Sequence, residues 1–132
     1  MDTRRKIVDA SDAERLIRDL LESGKPFRVV AGYFDPIVGA HVRRIREISR
    51  EGETLVVCLL TPPLALLPDR ARAELAAALA AVRYVVLPDD GAGAGLPGWL
   101  GMLPADLVVL EEQADLDRRH QLVELICRKS AV

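Results

Sequence analysis

"FRVVAGYFDPIVGAHVRRIREISREGETLVVCLL", Phe27 to Leu60, decides the fold. It opens on FRVVAGYF, a short apolar run that reads as a buried strand, and closes on TLVVCLL, a second one rich in β-branched residues. Between them, AHVRRIREISREG is helical. Val42, Ile45 and Ile48 share a face, arginines occupy much of the rest, and Gly52 is the expected stop. Strands that are apolar throughout and alternate with helices indicate a parallel sheet covered on both sides.

The same rhythm extends outward in both directions. SDAERLIRDLLESG predicts a helix with Ser11 and Glu14 at capping-box spacing. Leu16, Ile17, Leu20 and Leu21 form its stripe, and Gly24 and Pro26 stop it. After the second strand, TPPLALLP is a loop and PDRARAELAAALAAV a helix with Asp69 near its start. RYVVLP is a third strand, DDGAGAG a loop, LPGWLGML at most a short helix, and ADLVVLEE a fourth strand. DLDRRHQLVELICRKSAV predicts a last helix, capped by Asp115 or Asp117, with Leu122, Leu125 and Ile126 facing inward. With right-handed crossovers, the expectation is a Rossmann-like three-layer α/β/α sandwich, one domain over residues 1–132, with four to five parallel strands.

Composition bounds the function. The chain has 132 residues, half of them hydrophobic (50%) and 29% charged, which fits a packed globular domain. A net charge of -2 and an aromatic content of 4% speak against nucleic acid as a partner. Cys58 and Cys127 lie in apolar surroundings outside any Cys/His cluster, so no metal site is expected and a reducing compartment fits. MDTRRKIVDASD lacks the apolar core of a signal peptide, and no run approaches the ~18 apolar residues of a membrane span. The expected location is cytoplasmic, with no membrane partner.

In such a sheet, ligands bind outside the carboxyl ends of the strands, near the point where strand order reverses. GYFDPIVGAH, Gly32 to His41, lies at such an end. Gly32 allows a sharp exit, Phe34 anchors the loop in the core, and Asp35 with Pro36 favours a turn. Gly39 opens the next helix, whose first amides favour an anion. His41 falls in the first turn, within reach of a phosphate, and Arg43 and Arg44 add positive potential. Each part also has a plainer reading: turn geometry for the glycines, a local cap for Asp35, a structural or solvated histidine, and a wet helix face for the arginines.

GYFDPIVGAH resembles the GxFDxxHxGH signature of the nucleotidyltransferase superfamily, the cytidylyltransferase-like α/β proteins. The stretch from Gly24 through Leu59 is similar to the opening of the adenylyltransferase domain that makes ADP-activated heptose. DRARAELAAALAAVRYVVLP is similar to a later helix and strand of that domain. The resemblance implies transfer of a nucleoside monophosphate from ATP or CTP, with magnesium, to a phosphorylated small molecule such as a sugar phosphate. By position, it implies that His41 meets the triphosphate and is the catalytic candidate. Gly32, Tyr33, Phe34, Asp35, Val38, Gly39 and Ala40 frame the nucleotide, and Arg43, Arg44 and Arg70 assist.

The departures from the signature lie in the same loop. Val38 stands where the first histidine belongs and Ala40 where a glycine belongs. The connection TPPLALLPDR is short and lacks the expected lysine, and no serine/threonine-rich signature is found near the carboxyl end. Three readings follow: a weakened or inactive nucleotidyltransferase-like domain that still binds a nucleotide or phosphate, an active enzyme with an unusual loop, or a dimeric, non-enzymatic interaction module. The first is preferred. EEQAD reads as a solvated strand exit or helix cap, His120 as surface, and Trp99 as core or an interface anchor.

Overall fold

The computed structural model describes residues 2–89 and 95–130. Most of the DDGAGAG loop, residues 90–94, lies outside the described residues. Five parallel strands form one sheet: β1 (Ile7–Val8), β2 (Phe27–Gly32), β3 (Thr54–Leu59), β4 (Tyr84–Val86) and β5 (Val108–Leu110), in the order β1-β4-β3-β2-β5. β2 and β3 pair in register from Phe27↔Thr54 to Gly32↔Leu59. The fold is a Rossmann-like α/β/α sandwich. β2, β3 and β4 are laid down in one direction and β5 joins the other side of β2, so strand order reverses between β2 and β5. β1 has only two residues, too few for a periodic signal, and has no counterpart among the four strands read from the sequence.

Four α-helices accompany the sheet: α1 (Ala10–Ser23), α2 (Gly39–Ile48), α3 (Asp69–Ala77) and α4 (Glu112–Ser130). Alternation along each strand builds two cores. Val29, Ala31, Val56 and Cys58 face Ala13 and Ile17 of α1 together with Leu100 and Leu103, which belong to the segment carrying Trp99. Val30, Val57, Leu59 and Val85 face Ile45 and Ile48 of α2 and Ala73, Ala76 and Ala77 of α3. The alanines of α3 let it lie close to the sheet, and Arg72 is buried beside them at 0% exposure.

Three local expectations are corrected. α1 starts one residue before Ser11, with Asp9 at the N-cap, and Glu14 reaches Arg18 at 2.7 Å instead of closing a capping box. Its end agrees with the sequence: Gly24 takes φ +69°, a left-handed conformation that suits glycine. α4 begins at Glu112, so Asp115 lies in its first turn and is not its cap. α4 runs across the carboxyl end of the sheet: Asp115 meets Tyr33, and Arg119 reaches the Leu64 carbonyl at 2.5 Å. Leu122 is half-buried, but Leu125 and Ile126 are exposed. Polar contacts near the start of the helix fix its direction, and the apolar spacing further along does not.

The two cysteines also differ. Cys58 is buried in β3 and Cys127 is exposed on α4. Burial pushes the Cys58 thiol up to about 12, which leaves almost no thiolate to react at neutral pH. Iodoacetamide at mildly alkaline pH is therefore expected to label the folded chain once, at Cys127, and to label Cys58 only after denaturation. Peptide mass spectrometry checks this, and rapid labelling of Cys58 in the folded chain would contradict the burial described.

Candidate functional site

The loop after β2 is shaped by backbone geometry. Tyr33 and Phe34 follow Gly32, and Phe34 has φ +46°, unusual for a residue with a side chain. The Phe34 ring is buried and packs edge-on against His41, with 5.3 Å between ring centroids. This twist turns two successive amides the same way. Tyr33 N–H and Phe34 N–H both donate to Oδ2 of Asp115, at 2.7 and 3.2 Å.

His41 is 3% exposed and uses both ring nitrogens. Its Nδ1 accepts the Val38 N–H at 2.9 Å, forming half of a capping box from the third position of α2. That bond puts the ring proton on Nε2, which donates to Oδ1 of Asp115 at 2.6 Å. Val38, as the N-cap of α2, has no side-chain acceptor for the helix amides. Gly39 is exposed, and the Arg43 guanidinium stands 3.4 Å from where a Cβ on Gly39 would lie. Ala40 is half-buried in the first turn.

Asp115 also accepts from Arg118 at 3.1 Å, so four donors converge on one carboxylate. Arg118 reaches Glu111 at 3.4 Å, and Glu111 binds Nε of Arg44 at 2.6 Å. The hydrogen bond to Glu111 holds Arg44 above its ordinary value. Burial, then the charges of Glu112 and Asp115, raise the Tyr33 hydroxyl above the usual tyrosine range. The EEQAD stretch is thus not solvated throughout, since Glu111 and Asp115 are both buried. Positions 111, 115 and 118 share one helical face, a spacing visible in the sequence, but their partners in β2 and α2 are not.

Asp35 is not a purely local cap. Its carboxylate accepts Leu66 N–H at 2.6 Å and Leu67 N–H at 2.8 Å, fixing the loop between β3 and α3, and Arg119 lies 3.5 Å away. Arg72, absent from the candidates read from the sequence, donates to the carbonyls of Tyr33 and Leu60 at 2.7 and 2.9 Å and to Asp69 at 2.5 Å. Arg70 stands apart from the signature loop. It lines a recess of about 390 Å³ with Asp9 and Ser11 at the start of α1.

A larger cavity, about 610 Å³, opens at the carboxyl ends of β3 and β4. Ser11 and Glu14 of α1, Thr61, Asp89, Trp99 and Met102 line it, and it shares Ser11 and Asp89 with the Arg70 recess. Its volume suits a small-molecule ligand. Among the described residues, no group of three or more His, Cys, Asp or Glu side chains is placed to hold a metal ion. At the Gly32–His41 loop, the Tyr33 and Phe34 amides and the His41 N–H all face Asp115. No protein-family model matches the chain, and no curated protein matches it.

The approach of Asp115 depends on a missing methyl group: a Cβ on Gly32 would stand 2.3 Å from Oδ2. Gly32→Ala must displace either the strand exit or the carboxylate. The expected cost is about 1–3 kcal/mol of overpacking, measured by urea unfolding. Asp115→Ala in the Gly32→Ala background should cost less than Asp115→Ala alone, because the contact is already broken. Additive losses in that double-mutant cycle would contradict the coupling.

Proposed function

We propose that the chain is a nucleotidyltransferase-like domain that binds a nucleotide or another phosphorylated small molecule and turns it over slowly or not at all. The observation that carries this reading is the commitment of His41: one ring nitrogen holds the start of α2 and the other holds Asp115. A histidine so engaged has no free donor for transition-state charge. Loss of one such donor costs on the order of 10²–10³ in rate, and Val38 removes the other expected histidine. Ala40 and the lysine-free loop after β3 act in the same direction.

The cavity at β3 and β4 supports the binding part. Trp99 lines it with an aromatic ring for a base or sugar, and Ser11, Thr61, Glu14 and Asp89 line it with hydroxyl and carboxylate groups. Arg70 lines the adjoining recess together with Asp9, Asp69 and Asp89 and lies 3.8 Å from Glu74.

Titration with ATP and with CTP, with and without magnesium, tests both parts. A saturable heat of binding should accompany a change in the fluorescence of Trp99, the only tryptophan. Trp99→Ala should weaken binding by about 1–3 kcal/mol, the range for a base stacked on an aromatic ring. Pyrophosphate release with sugar phosphates should stay below ~1 s⁻¹, slower than an ordinary enzyme. Faster turnover overturns the slow-turnover part, and the absence of both heat and fluorescence change overturns the binding part.

A further inference from the structure

The carboxyl ends of β2 and β5 flank the reversal of strand order, where open α/β sheets form a crevice, and four donors meet one carboxylate there. Two successive amides, of Tyr33 and Phe34, converge on one oxygen, a concave arrangement that binds anions. The His41 Nε2–H and the Arg118 guanidinium converge on the other oxygen. Gly32 has no Cβ and so leaves the approach open. An anion already occupies this cradle, and it belongs to the chain itself: the carboxylate of Asp115, 3% exposed and delivered by the first turn of α4.

We propose that this crevice is an oxyanion site held shut in cis by Asp115, and that a phosphate-type anion takes the cradle when that carboxylate is absent or withdrawn. The inference rests on the proposed reading of the chain as nucleotidyltransferase-like, and it adds what closes the anion site of its loop. The donors are held by elements other than α4: the amides by β2 and the Phe34 turn, and the imidazole by α2 through the Val38 N–H. Each of these anchors is made independently of Asp115. Arg118 keeps Glu111 as a partner. Removing the Asp115 carboxylate therefore leaves buried N–H groups without their acceptor, and water is a poorer partner than an oxyanion for such a group. An anionic ligand and the first turn of α4 compete for the same donors, so ligand entry and displacement of α4 are one equilibrium.

The test uses the full chain with Asp115→Ala and inorganic phosphate as the probe, at constant ionic strength, followed by amide NMR shifts. Phosphate should shift the Tyr33 and Phe34 amides of the variant saturably, with an affinity at least about tenfold above wild type, the ratio expected for recovering one charge-assisted hydrogen bond. Sulfate should do the same and chloride should not. Asp115→Ser, which also empties most of the cradle, serves as the second variant if Asp115→Ala does not fold. Should neither fold alone, folding restored by phosphate but not by chloride supports the proposal, and no restoration overturns it. Folded variants whose Tyr33 and Phe34 amides ignore phosphate, or a wild type that binds it equally well at those amides, also overturn it. No nucleotide and no Trp99 signal enters the measurement, so its failure is separate from failure of the binding proposed for the β3–β4 cavity.

Discussion

One buried carboxylate organises the carboxyl end of this sheet. Asp115 holds the exit of β2 through two amides, the start of α2 through His41, and its own helix through Arg118. A charge so far from water is tolerable only when its lone pairs are met, and here each oxygen has two donors. The dependence is mutual. Without Asp115, the Tyr33 and Phe34 amides and the imidazole N–H would be buried donors lacking these acceptors. The positive φ of Phe34 and the bare Cα of Gly32 are the backbone conditions that let the carboxylate arrive.

Arg72 and Asp35 extend the same solution. Arg72 ties the exits of β2 and β3 by their carbonyls, and Asp35 ties the loop after β3 by its amides. In a parallel sheet, strand exits and helix starts collect at one end and leave unpaired backbone groups there. Those groups are satisfied by ligands, by water or by side chains of the same chain. At β2 this protein uses its own side chains. At β3 and β4 it leaves the cavity bounded by Trp99 and the start of α1. A ligand function and an internally satisfied signature loop are therefore compatible, because they occupy different strand ends.

The layers of the fold were legible because they rest on local signals. TLVVCLL is apolar nearly throughout, and the stripe of α1 carries its period through Leu16, Ile17 and Leu20, while Leu21 is exposed. α4 was legible as a helix but not in its placement. Leu122, Leu125 and Ile126 have the spacing of a buried face, yet the last two remain exposed because Asp115 and Arg119 fix the helix across the strand ends. The polarity of EEQAD misled for the same reason: a carboxylate is solvated on average, and only its tertiary donors make burial tolerable. Nothing in the local sequence marks Arg72 for burial, and the small residues around it allow the sheet to come close enough to bury it.

His41 marks where motif reading runs out. Its position in the first turn of α2 follows from the sequence, but a histidine there can face a ligand or hold the helix. The choice depends on its two neighbours. Val38 presents only its backbone N–H, because a valine side chain cannot accept from the helix start, and Nδ1 takes that bond. Once Nδ1 is an acceptor, Nε2 must be the donor, and its acceptor lies 74 residues away in α4. The Val38 N–H and the distant carboxylate of Asp115 therefore meet the same imidazole. Val38 leaves the imidazole as the side-chain partner at the N-cap, and Asp115 receives the proton this leaves on the far side of the ring. A second histidine at position 38 would add a donor or acceptor beside this pair, but it would not release Nε2 while Asp115 remained in place.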